Sequence, residues 1–196
     1  MLVYLHGFNS SPASHKARLL ERRLEELGKA GEFSCPALPV RPARAIALVE
    51  DTLRVAEPER VTLVGSSLGG YYATYLAERF GVRAVLINPA VKPYEGLRAY
   101  LGPQRNLYTG EAYELTEQHL DELRALEVDQ PTRAERYYLM VTTGDEVLDY
   151  RVAERKYAGA KQLVVSGDNH GFSTFADYMD SVLDFAGMRR AGSSGP

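Results

Sequence analysis

The chain holds one cysteine, Cys35, in 196 residues, so it can form no internal disulfide, and that usage suits a reducing compartment. It also lacks an excess of positive charge. Its 23 basic and 26 acidic residues give a net charge of −3, with the two signs interleaved, so no nucleic-acid partner is expected. No run approaches the ~18 apolar residues of a membrane span, and no basic segment followed by a long apolar one opens the chain. No membrane partner is therefore expected, and the cytoplasm is the expected location. No set of His, Cys and Asp shows metal-ligand spacing, so neither a metal nor another cofactor is called for. The rest is ordinary for a globular domain: 45% apolar and 25% charged residues. We expect one domain over residues 1–190. The small, turn-forming stretch Ala191 to Pro196 has nothing to bury and reads as a disordered tail.

What is present is a regular alternation. Apolar runs at Leu2–Leu5, Val61–Val64, Ala84–Ile87, Tyr138–Val141 and Gln162–Val165 read as strands, with a short candidate at Phe33–Cys35. Helical spacing falls between them. It predicts helices over 12–27 (Pro12 in the first turn, Gly28 at the end), 43–56, 67–80 and 149–159, and a last one with Phe175, Tyr178, Met179, Val182 and Ala186 on its apolar face. Apolar strands separated by helices argue for a mostly parallel sheet covered on both faces, with the strand-to-helix loops gathered at one edge. Residues 92–136 break this rhythm. They are long and Tyr-rich, with one clear helical stretch near 116–126, and we expect a small helical cap over the site.

Within that frame, Gly65-Ser66-Ser67-Leu68-Gly69 is a G-x-S-x-G pentapeptide lying between a strand and a helix. The motif alone is weak. In a strand-to-helix elbow, however, it thrusts the middle hydroxyl above the sheet edge, and the glycines allow the close approach. A serine hydroxyl needs a base and the base an orienting acid, which in such elbows follow the nucleophile in the order acid, then base. Of the four histidines, only His170 follows the last strand, in a turn-rich loop at the same edge. His6 reads as a local hydrogen-bonding residue, His15 as part of the first helix and His119 as part of the cap. For the acid, Asp145 comes first off the strand. Asp149 is the alternative but also suits a helix N-cap, Glu146 reads as solvated and Asp168 as a turn residue. The oxyanion requires backbone N–H groups, expected from Leu68 and from Phe8 in the loop after the first strand, with Gly7 supplying an unusual backbone angle. Asn9 of that loop and Tyr71 are the candidate substrate-binding residues, although Tyr71 and Tyr72 read equally well as helix-face packing.

With these parts placed, the sequence resembles the α/β-hydrolase superfamily along essentially its whole length. Tyr4 to Pro12, Gly65 to Ala73, Asn88-Pro89-Ala90, Thr143 to Tyr150, and Asp168-Asn169-His170 with Phe172 are similar to the small YqiA-type bacterial esterases. The resemblance implies esterase or thioesterase activity on short acyl chains, with nucleophile, acid and base at Ser67, Asp145 and His170. It also implies a truncated sheet of about six strands, because the oxyanion strand comes first here where two usually precede it. The first strand then lies nearer an edge, where pairing into a homo-oligomer becomes open. The expected partner is a small acyl ester or thioester. Peptidase, lactonase or perhydrolase chemistry on the same triad is the alternative, as is a non-catalytic binding protein on this scaffold.

Overall fold

The computed structural model describes residues 1–189, and the expected tail at 191–196 lies outside them. In chain order the elements are β1 (Leu2–Leu5), α1 (His15–Glu26), β2 (Phe33–Ser34), α2 (Pro42–Arg54), β3 (Thr62–Ser66), α3 (Leu68–Phe80) and β4 (Arg83–Ile87). Next come α4 (Pro93–Gly96), β5 (Gly102–Arg105), β6 (Ala112–Leu115) and α5 (Glu117–Arg124). Then follow β7 (Tyr137–Thr142), α6 (Tyr150–Lys156), β8 (Lys161–Val165) and α7 (Met179–Phe185). Six strands form one parallel sheet in the order β2-β1-β3-β4-β7-β8. The expected truncated sheet is therefore present.

Alternation along each strand divides the core into two layers. Leu2, Tyr4, Val64, Val85, Ile87 and Met140 pack with Leu20, Leu24, Val182 and Leu183 of α1 and α7. Their neighbours Val3, Leu5, Leu63, Leu86, Leu139 and Val141 pack with Val49, Leu76 and Leu123 of α2, α3 and α5 on the other face. Each fully buried leucine here contributes roughly 2 kcal/mol. β1 lies second from the edge, with only the two-residue β2 outside it, and β8 forms the other edge. β8 is only half-buried, unlike the fully buried strand its apolar run suggested.

Some elements depart from the sequence reading. α1 starts at His15 rather than Pro12, because Ala13 N donates to Ser11 Oγ and Ser14 N to Ser11 O, closing a turn first. Its end is as expected: Gly28 adopts φ +69° and Lys29 N donates to Leu24 O. The stretch 175–178 is a 3₁₀ turn leading into α7. The 92–136 segment is not simply helical, since β5 and β6 form an antiparallel hairpin between α4 and α5. Asn106 organises its tip by accepting from Tyr108 N and Thr109 N on Oδ1, and Gly110 takes φ +73°.

At the start of α3 the backbone packs directly against β1 and β3. A Cβ on Gly69 would lie 1.9 Å from Leu5 O, and one on Gly65 2.2 Å from Gly69 O. Both neighbours are backbone, so nothing can rotate aside. Gly69→Ala should therefore destabilise by at least about 3 kcal/mol, whereas Gly31→Ala, with no atom within 4 Å, should change stability by no more than ~0.5 kcal/mol. Urea unfolding of the two variants checks the contrast; equal midpoints would contradict it.

Candidate active site

Ser67 stands between β3 and α3 with φ +55° and ψ −119°, a conformation that costs a non-glycine residue of order 1–3 kcal/mol. Hydrogen bonds from both sides hold it there. Ser67 N donates to Ile87 O at 3.0 Å, while Ala90 N and Gly70 N donate to Ser67 O at 3.1 and 2.9 Å.

Three of the expected residues meet in a chain. Ser67 Oγ lies 3.1 Å from His170 Nε2, and His170 Nδ1 lies 2.7 Å from Asp145 Oδ2. Asp145 Oδ1 also accepts from Val147 N and Leu148 N, each at 2.8 Å. Burial of the carboxyl, whose side chain is 2% exposed, opposes ionisation. The hydrogen bonds from His170 and the two amides outweigh it and hold Asp145 below the ordinary carboxylate range. An ionised carboxylate can only accept, so Nδ1 of His170 carries the hydrogen and Nε2 is left to accept from the serine hydroxyl. Asp149 does not join this chain. It caps α6, accepting from Arg151 N at 3.0 Å and from the Arg151 guanidinium.

The loop after β1 lies against the serine. A Cβ on Gly7 would come 3.3 Å from Ser67 Cβ and 3.8 Å from Ser67 Oγ. Gly7 itself has no left-handed angle; that conformation falls on Asn9, with φ +52°. Gly7 is thus required for close approach and not for its backbone freedom. His6 is buried and fixes the loop locally, as its position suggested. Leu38 N donates to His6 Nε2 at 3.1 Å, which leaves Nδ1 to donate to Gly7 O at 3.2 Å. Ser10 N also donates to Gly7 O. The peptide is trans and planar, so the Phe8 N–H points away from that carbonyl. Neither the Phe8 nor the Leu68 amide donates to any acceptor among the described residues.

The two candidate substrate-binding side chains are engaged within the protein. Asn9 Nδ2 donates to Gln104 Oε1 at 3.3 Å, and its Oδ1 accepts from Tyr113 Oη at 2.7 Å. Tyr71 is 2% exposed and donates through Oη to Leu123 O at 2.7 Å, so it pins α3 to α5. One residue further round α3, Tyr72 joins Phe8, Asn9, Leu38, Leu68 and Tyr113 in lining a cleft that runs past the residues flanking the serine elbow and the loop after β1.

Several residues that sequence reasoning passed over hold the His170 loop. Asn88 is buried with φ +41°, and its Nδ2 donates to His170 O at 3.1 Å and Thr142 Oγ1 at 3.1 Å, while Thr142 N donates to its Oδ1 at 2.9 Å. Thr142 Oγ1 donates to Asn169 O at 3.0 Å. Glu146, read as solvated, accepts from His170 N at 3.0 Å, and that bond leads the interactions keeping its carboxyl below the usual range. Lys16 Nζ donates to Gly171 O at 2.7 Å; burial lowers the ammonium to about 8 against the opposing pull of Asp168 and Asp145. The Asn88-Pro89 dipeptide after β4 was the one signal that could have pointed to this network.

This parallel sheet with a serine elbow at its loop edge is an α/β-hydrolase fold, and solved structures agree. The mouse alpha/beta hydrolase domain-containing protein 10 matches with TM-score 0.68 and 17% identity over 93% of this chain and 89% of that one. Est1E from Butyrivibrio proteoclasticus matches with TM-score 0.64 and 13% identity, covering 96% and 88%. The esterase domain of a Rhodothermus marinus protein matches with TM-score 0.62 and 16% identity, covering 94% and 85%. At the level of sequence, the model of the Uncharacterised protein family UPF0227 matches residues 1–187, and the chain belongs to that family. The UPF0227 protein YcfP of Escherichia coli K12 (DH10B) is 30% identical over 98 residues, which are 50% of this chain and 54% of that protein. The chain thus matches about half the length of these curated relatives. Among the described residues no helix is long and apolar enough to cross a membrane.

Asp168 gives a test of how the His170 loop is held. Burial opposes its ionisation, but Thr174 N and Oγ1, Asn169 N and Ser173 N all donate to its carboxylate and bring it down to about 2. A depressed pKa stabilises the fold above the unfolded value near 3.9 and loses that contribution as pH falls toward 2. The difference in urea midpoint between the wild-type chain and Asp168→Asn should therefore be full at pH 5 and shrink steadily below pH 4. A difference independent of pH would show that the carboxylate charge plays no part.

Proposed function

We propose that this protein is a serine hydrolase that cleaves small carboxylic esters or thioesters through an acyl-enzyme intermediate. The observation that carries the reading is the continuous chain Asp145–His170–Ser67, at 2.7 and 3.1 Å, on a strained elbow. Ser67 Oγ attacks the acyl carbonyl while His170 Nε2 takes its proton. Asp145 fixes the imidazole tautomer and stabilises the imidazolium that forms. The Phe8 and Leu68 N–H groups, free of other acceptors, receive the negative charge of the tetrahedral oxygen, and the start of α3 adds its positive end. His170 then protonates the departing alcohol or thiol, and deprotonates the water that releases the acid. The cleft lined by Phe8, Leu38, Leu68 and Tyr72 is the candidate place for a small acyl group. The esterase name carried by the Rhodothermus marinus domain is in keeping with this chemistry.

Labelling with a fluorophosphonate, followed by peptide mass spectrometry, tests the nucleophile. The adduct should fall on Ser67 and disappear in His170→Ala. Hydrolysis of p-nitrophenyl acetate should drop about 10⁶-fold in Ser67→Ala and about 10⁴-fold in Asp145→Asn, and acetate should be preferred to octanoate. An adduct on another residue, or Ser67→Ala keeping more than roughly a hundredth of the activity, would overturn the assignment.

A further inference from the structure

The β5–β6 hairpin grips the segment that presents the Phe8 amide. Tyr113 Oη donates to Asn9 Oδ1 at 2.7 Å, and Asn9 Nδ2 donates to Gln104 Oε1 at 3.3 Å. Gln104 is itself fixed, donating through Nε2 to Tyr100 O at 2.7 Å. The hairpin tip holds the backbone as well: Leu107 N donates to Asn9 O at 3.1 Å and Asn106 Nδ2 to Ser10 O at 2.9 Å. The Tyr100 ring meets the Phe8 ring edge-on, with centroids 6.2 Å apart. Within the loop only one bond closes residues 7–10 on themselves, Ser10 N to Gly7 O at 3.3 Å. The left-handed angle of Asn9 is thus over-determined from outside and not by its own turn.

We propose that Tyr113 and Gln104 are positioning residues for the hydrolytic reaction: acting through Asn9, they hold the loop after β1 in the one conformation that presents the Phe8 N–H to the developing oxyanion. This inference rests on the hydrolase reading above. It also gives the 92–136 segment a role other than that of a lid. The hairpin is part of the catalytic geometry, and lifting it would dismantle the oxyanion hole. Burial, reinforced by Glu111, pushes the Tyr113 phenol up to about 12, so it remains a donor throughout the working pH range. The loss of an oxyanion donor costs about 10²–10³ in turnover. A donor left in place but loosened should cost less, and we expect about 10-fold for Tyr113→Phe.

The test measures three quantities on the full chain and its variants: kcat and KM for p-nitrophenyl acetate, inhibition by an arylboronic acid, and amide hydrogen exchange of peptides covering residues 6–10. Tyr113→Phe should lower kcat about 10-fold at unchanged KM, weaken the boronic acid by a similar factor and speed exchange in residues 6–10, with the melting temperature nearly constant. Asn9→Asp keeps both the acceptor for Tyr113 and the tolerance of a left-handed angle, so it should retain more activity than Asn9→Ala. Unchanged exchange in residues 6–10 would overturn the proposal whatever the activity. So would faster exchange with undiminished kcat, or a loss that appears in KM and melting temperature instead. A wild-type chain that hydrolyses no ester and takes no fluorophosphonate on Ser67 would instead overturn the hydrolase reading, and with it the catalytic role of Tyr113 and Gln104. In that case the exchange data would still decide whether the hairpin orders the loop.

Discussion

The contact on which the structure most depends is one between backbones. α3 approaches the end of β1 so closely that a methyl group on Gly69 would overlap the Leu5 carbonyl. That approach is what sets the start of α3 beside the loop carrying Gly7 and Phe8. It also sets Gly7 close against the Ser67 side chain. The energetic weight of the sheet, carried by the two apolar layers, resists separation of α3 from β1.

The opposite side of the site is built on different physics. There the Asp145 and His170 loops are joined by polar groups that cross between strand ends. Asn88 bridges β7 and the His170 loop, Glu146 takes the His170 amide, and Lys16 reaches from α1 to the Gly171 carbonyl. The two loops also touch directly, since a Cβ on Gly144 would lie 2.6 Å from Gly167 O. Directional bonds of this kind fix an imidazole more narrowly than apolar packing can, because each has a preferred angle as well as a distance.

Much of this was legible before the structure. The strands announced themselves by apolar runs, and Ser67, Asp145 and His170 by their places just past strand ends. Such signals are local in the chain. The supporting contacts were not legible because they are not local: Glu146 meets His170 across 24 residues, Asn88 across 82, and Lys16 meets Gly171 across 155. A single side chain has no period to betray it. The hairpin was missed for a related reason, since Gly-Pro-Gln-Arg in β5 shows no alternation of apolar and polar residues. Two finer misreadings have simple causes. A special backbone angle was assigned to Gly7 because glycine adopts it most cheaply, whereas Asn9 adopts it here, one of the few other residue types that do so readily. Tyr71 and Tyr72 differ by about 100° around the helix and both are buried, and only the packing of α5 decides that Tyr71 donates its hydroxyl to the Leu123 carbonyl.

The backbone angle of Ser67 has a further consequence. The fold imposes φ +55° at that position whatever residue occupies it, and glycine alone takes such an angle without strain. A glycine there would relieve the strain and remove the hydroxyl in the same step, so the elbow carries its side chain only at a cost to its own backbone.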